Sequence, residues 1–130
     1  MELKISGLKF WGSPITPWFN GENWANNKHR GDEIMETWKL IPKDTDILIT
    51  HGPAFGHLDY IQNIGRSGGC EDLRKVIDEI RPKICLSGHL HFAYGMKEHY
   101  YKDETTTIFS NASICNDNYI VINKPNIIEL

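Results

Sequence analysis

The chain has 130 residues, of which 40% are hydrophobic and 24% charged. This is globular composition at the length of one ordinary domain, so a second domain is not expected. The formal net charge of -3 at pH 7 leaves no basic footprint for a polyanion, and nucleic acid is not an expected partner.

The opening residues, Met1 to Ser6, lack the basic stretch and apolar run of a signal peptide, and no run in the sequence approaches membrane-spanning length. A cytoplasmic protein without membrane contact is expected. Glu2 to Ser13 alternates apolar and polar residues around Ser6-Gly7, which predicts a hairpin or two short strands. Pro14 to Gly31, rich in Pro, Asn, Gly and Trp, reads as a long loop, apolar enough through Trp18, Phe19 and Trp24 to pack as a lip over a site. Asp32 to Leu40 has Ile34, Met35 and Trp38 at helical spacing and is closed by Pro42. Asp46 to Thr50 is an apolar run without alternation, as in a strand covered on both faces, and it ends at His51-Gly52-Pro53. A loop of glycines and polar residues leads to Gly69. Glu71 to Ile80 then carries Leu73, Val76, Ile77 and Ile80 as the stripe of an amphipathic helix, ended by Pro82. Lys83 to Ser87 repeats the doubly covered strand and breaks at Gly88-His89. Tyr94 to Tyr101, Thr105 to Ser110, Tyr119 to Asn123 and Ile127 to Leu130 read as short strands joined by polar turns.

Cys70, Cys85 and Cys115 are odd in number and include no Cys-x-x-Cys pair, so buried thiols are expected rather than a disulfide framework or a thiolate zinc site. Arg30-Gly31-Asp32 and Asn111-Ala112-Ser113 have the form of an adhesion tripeptide and a glycosylation acceptor. Both need an extracellular setting that nothing else in the sequence supports.

Strand, helix and strand from Asp46 to Ser87 make a βαβ unit. Its strands run parallel, so residues leaving each carboxyl end emerge at one edge of the sheet, where open α/β sheets place ligands. His51 and His89 hold those equivalent positions. His91 follows two residues later, and an extended chain there would project both imidazoles to one side. Glycine beside each histidine lets the backbone turn sharply, and neutral imidazole suits zinc, iron or manganese. Three histidines converging at matched strand ends point to a metal site, against the alternative of ordinary turn residues. His57, in the loop Phe55 to Asp59, is a candidate contact for a substrate phosphate or else an exposed loop residue, and His29 and His99 read as surface residues.

Gly88-His89-Leu90-His91 matches in full the Gly-His-x-His turn of the calcineurin-like metallophosphoesterase superfamily, and Thr50-His51-Gly52-Pro53 its preceding histidine turn. Leu8 to Pro14, Thr16-Pro17-Trp18-Phe19, Gly69-Cys70, Arg81-Pro82-Lys83, Tyr94-Gly95 and Asn111-Ala112-Ser113 extend the likeness over nearly the whole chain. They resemble the small stand-alone phosphodiesterase branch related to the mammalian brain metallophosphoesterase-domain proteins. The resemblance implies an α/β fold: the C-terminal half of a β-sandwich of two mixed sheets flanked by helices, with residues 1–130 forming a partial domain. It implies that His51 and His89 bind the second metal of a dinuclear manganese, iron or zinc centre and His91 the first.

The family's N-terminal motifs, Asp-x-His, a Gly-Asp turn and Asn-His-Asp or Asn-His-Glu, do not occur here in their places. Gly31-Asp32 comes after Trp11-Gly12-Ser13-Pro14, the wrong position for the second of them. Without those carboxylates, at most one divalent ion, weakly held, is expected of this chain alone. The leading expectation is a half domain that hydrolyses a small phosphate ester when a complementing N-terminal half is supplied. The alternatives are a non-catalytic remnant or binding module that associates through an exposed sheet edge, and an independent hydrolase with one zinc on three histidines.

Overall fold

In the computed structural model, which describes residues 1–19 and 24–130, Ser6-Gly7 closes a hairpin between β1 (Glu2–Ile5) and β2 (Leu8–Ser13). Both turn residues have positive φ, 50° and 80°, as a two-residue turn following the strand twist requires, and glycine takes the second without strain. The long loop beyond it contains a short parallel pairing of β3 (Thr16–Pro17) with β4 (Asn27–Lys28). Its residues 20–23 lie outside the described residues.

Helix α1 (Asp32–Trp38) ends two residues earlier than expected. After β5 (Ile47–Thr50) the chain forms a small ribbon of β6 (Tyr60–Ile61) and β7 (Arg66–Ser67) and enters α2 (Glu71–Ile80), whose bounds are those expected. Cys70 caps α2, its sulfur accepting the Leu73 N–H at 3.5 Å, and Glu71 and Asp72 put negative charge at the helix's positive end. Arg81, at φ 55°, turns the chain out of the helix ahead of Pro82. Then come β8 (Ile84–Ser87), β9 (Gly95–Tyr100) and β10 (Thr106–Asn111).

Six of these strands form one mixed sheet in the order β1-β2-β5-β8-β10-β9. The pairs β2–β5, β5–β8 and β8–β10 are parallel and the two outer pairs antiparallel, so the βαβ unit of β5, α2 and β8 is present as expected. The strands expected at Tyr119 to Asn123 and Ile127 to Leu130 do not form: the first makes a single bridge, Cys115 with Val121, and a few backbone hydrogen bonds to Ile114 and Asn116, and the second has no strand partner among the described residues. No helix among the described residues is long and apolar enough to cross a membrane.

Side chains alternate across a sheet, and the register sorts them into rows. Trp11, Leu48, Cys85 and Phe109 stand in one row on four adjacent strands and pack with Ile34 and Trp38 of α1 and Leu73 and Ile77 of α2. Both helices therefore cover the same face. Cys70 and Cys85 are buried in that core as free thiols, and Cys115 is half-buried.

The opposite face carries Phe10, Ile49, Leu86 and Ile108, with Leu3, Ile5 and Met96 beside them on the outer strands. Ile5, Ile49 and Met96 are 49%, 43% and 49% exposed, whereas Ile47 and Ile84 on the same face are 4% and 3% exposed, so this apolar face is open in part. The C-terminal segment covers one end of it, pinned where Asn126 Nδ2 donates to the carbonyls of Gly95 and Asn111 and to Ser110 Oγ. One expectation is corrected here: the β5 strand is covered on one face at Ile49, not both. The outer strands β1 and β9 are largely exposed and leave both sheet edges open as well. Ile49→Lys is expected to change stability in urea unfolding by less than about 1 kcal/mol, because the side chain already meets solvent.

Candidate metal centre

β5 and β8 end side by side, and the Gly88 N–H donates to the His51 carbonyl at 3.0 Å, locking the two turns together. His51 Nε2 lies 3.1 Å from His89 Nδ1. Two imidazole nitrogens bound to one ion at about 2.1 Å with near-tetrahedral to right-angled geometry are separated by about 3.0–3.4 Å, so this pair fits adjacent positions on one cation. The approach depends on an unusual backbone. His89 has φ 67°, and Leu90 N–H donates back to Gly88 O at 2.8 Å, a tight three-residue turn centred on a non-glycine residue. Such a conformation costs on the order of 1 kcal/mol or more and is held by its surroundings, here including the Phe19 ring 5.0 Å from the imidazole. Burial, followed by the neighbouring His51 and His91, holds the His89 imidazole below its ordinary 6.5 and favours the neutral form that binds metals.

The chain does not stay extended after His89. His91 begins a turn of 3₁₀ helix (His91–Ala93), and its Nδ1 sits 2.9 Å from the Asn116 carbonyl and 3.5 Å from Asp117 Oδ1. A hydrogen bond from Nδ1 to a backbone carbonyl fixes the tautomer that presents Nε2, the arrangement typical of a metal-ligating histidine. His91 is thus oriented by residues C-terminal to β10, and the parallel projection expected for it beside His89 is replaced by this turn.

A groove of about 790 Å³ opens at His89, with Trp18, Phe19, Arg30, Arg66 and Glu71 in its wall. The loop expected to form a lip does contribute to this wall. Arg30 is engaged by Glu71 and by the Gly68 and Gly69 carbonyls, whereas Arg66 is exposed. Gly31 N–H donates to Asp72 Oδ2 at 2.8 Å, so Arg30-Gly31-Asp32 serves to join the start of α1 to α2.

Along 99% of its length the chain is 38% identical to metallophosphoesterase domain-containing protein 1 of Homo sapiens and of Mus musculus, covering 38% of each. It is 36% identical over 128 residues to a UPF0046 protein of Caenorhabditis elegans, of which it covers 31%. No protein-family model matches it. The chain is a partial homologue of the metallophosphoesterases. It spans less than two fifths of the length of the curated relatives it matches.

Other histidines of this metallophosphoesterase homologue stand differently from expectation. His57 is neither exposed nor in the groove: it is 2% exposed, stacked on Phe109 with ring centroids 3.7 Å apart, and neither ring nitrogen has a partner. Asp59 causes this, since its Oδ2 accepts the N–H groups of Gly56 and Gly69, each at 2.9 Å, and cinches the loop so that His57 faces inward. Burial, then the charges of Arg74 and Lys97 and the neighbouring His99, pushes the His57 imidazole down to about 3. His99 is not a surface residue either, being half-buried with its ring 4.9 Å from His57 and 4.7 Å from Tyr101. His29 is exposed, as expected.

His57, Asp78 and His99 bring ligand-type atoms within 4.8 Å of one another. They come from a loop, a helix and a strand far apart in sequence, so no local motif announces them. Asn111 is fully buried, its Nδ2 donating to the Leu58 and Leu90 carbonyls at 3.2 and 3.0 Å and its Oδ1 accepting from Ser113 N–H. Asn111-Ala112-Ser113 is therefore a brace behind the histidine turn, with no side chain available for glycosylation.

Proposed function

We propose that this chain is the histidine-bearing part of a cytoplasmic metal-dependent phosphoesterase, acting on small phosphate mono- or diesters through a dinuclear manganese, iron or zinc centre. The observation that carries this reading is the 3.1 Å approach of His51 Nε2 to His89 Nδ1 at the carboxyl ends of two parallel strands. In this reading those two nitrogens hold one cation, and His91, braced at Nδ1 by Asn116, offers Nε2 to the other. Bound divalent cations supply Lewis-acid polarisation of the phosphoryl group and a water acidified enough to attack near neutral pH. Arg66, exposed at the groove, attracts the anionic ester, while Trp18 and Phe19 exclude solvent from the histidine end.

The bridging carboxylates and the leaving-group histidine that the resemblance implies are not among these 130 residues. A complementing segment would bring them, together with the second sheet of the sandwich, and that sheet would cover the open face around Ile49. The openness of that face also favours a second reading, a non-catalytic module that associates through it.

The test mixes the chain with the N-terminal part of a metallophosphoesterase-domain relative and measures hydrolysis of an aryl phosphodiester in manganese and in zinc. Turnover above that of either part alone, reduced at least about tenfold by His89→Ala, is expected. Equal rates with the His89→Ala chain would remove the catalytic reading and leave the module.

A further inference from the structure

We propose that His57, Asp78 and His99 form a second metal site, for one zinc or similar transition-metal ion, on the helix-covered side of the sheet. The loop after β5, helix α2 and edge strand β9 supply one ligand atom each, all within 4.8 Å of one another. Buried polar atoms in folded proteins are nearly always satisfied, yet His57, 2% exposed, has no partner at either nitrogen, and the buried Asp78 Oδ1 has none. One cation would satisfy the His57 imidazole and the one Asp78 oxygen that have no hydrogen-bond partner among the described residues.

The surroundings hold these groups as ligands are usually held. Arg74 Nε donates to Asp78 Oδ2 at 2.7 Å, which leaves Oδ1 as the free oxygen of an oriented carboxylate. Phe109 lies flat on His57, at 4° between planes, and Tyr101 meets His99 edge-on at 84°. Two imidazoles and a carboxylate are a set that zinc accepts with an open fourth position, at ligand separations of about 3.3 Å. Reaching that spacing asks for a side-chain shift of the order of 1 Å, which His99 on the edge strand can make. Arg74 and Lys97 stand close enough for their charge to oppose any cation here, so binding must come from the bonds to imidazole and carboxylate themselves. The site therefore prefers imidazole-seeking zinc, cobalt or nickel over magnesium or calcium.

The experiment titrates the full chain carrying His51→Ala and His89→Ala with cobalt(II), followed by visible absorption, and with zinc, followed by thermal unfolding. One equivalent is expected to bind, and a hundredfold excess of zinc over its Kd should raise Tm by on the order of 10 °C. Adding His99→Ala, a change at a half-buried position, should weaken uptake at least about tenfold and abolish the zinc-dependent shift. No uptake by the double variant, or undiminished uptake with His99→Ala, overturns the site. If the double variant does not fold, the comparison is made in the unaltered chain, where His99→Ala must remove one zinc equivalent and an unchanged stoichiometry refutes the proposal.

Discussion

Trp38→Ala is expected to destabilise the chain by about 3–5 kcal/mol, the range for removing a fully buried aromatic side chain. Trp38 is 1% exposed and belongs to the cluster through which α1 and α2 meet the Trp11-Leu48-Cys85-Phe109 row. Domains of this kind are stable by only about 5–15 kcal/mol, so the change removes a large share of the total. Leu40→Ala is the control. Leu40 lies two residues on and is 69% exposed, and its loss should change stability by no more than about 0.5 kcal/mol. Urea midpoints at constant m-value measure both. Similar shifts for the two variants would mean that α1 does not pack on the sheet through Trp38.

The second large effect is acid sensitivity of the metal-free protein. The His57 imidazole is pushed from 6.5 to about 3 by burial first and then by Arg74, Lys97 and His99. Above pH 6.5 it is neutral in folded and unfolded chain alike, so no penalty exists there. As pH falls below 6.5 the unfolded chain takes up a proton that the folded chain refuses, and stability drops by about 1.4 kcal/mol per pH unit until the folded group titrates near 3. Across that window the loss is on the order of 5 kcal/mol. His89 and His99, also held below 6.5 chiefly by burial, add loss of the same sign. His57→Phe keeps a ring against Phe109 and removes the titration. With a chelator present, its stability should fall less steeply between pH 6.5 and 4, and an unaltered slope would show that His57 is not buried neutral.

The sequence was most legible where one signal dominated locally. Ser6-Gly7 between alternating residues specifies its hairpin, and the Leu73-Val76-Ile77-Ile80 stripe between Cys70 and Pro82 specifies α2 to the residue. The convergence of His51 and His89 followed from parallel strands alone. It failed for side chains whose direction is decided by distant partners. His57 turns inward because Asp59 ties Gly56 to Gly69, and the orientation of His91 is set by the positive φ of His89 and by the Asn116 carbonyl at its Nδ1. The apolar residues of Tyr119 to Asn123 and Ile127 to Leu130 have strand-like composition, but the first meets only the short segment Ile114 to Asn116 and neither joins the sheet, and Ile120, Val121 and Ile127 remain 58%, 65% and 78% exposed. The two-sheet sandwich was likewise beyond pattern reading. These residues form one six-stranded sheet with helices on a single face.

The strand order also sets a timetable. β1–β2 and β9–β10 are the outer pairs, each joined by a short connection, and hairpins of that kind close in about 1–10 μs. Every pairing between them is parallel and spans a stretch of intervening chain, as α1 before β5 and α2 before β8 illustrate. Such non-local registers form over milliseconds to seconds, because loop closure comes before the contacts that reward it. The histidine turns cap β5 and β8, so their approach depends on this non-local parallel join and not on either local hairpin.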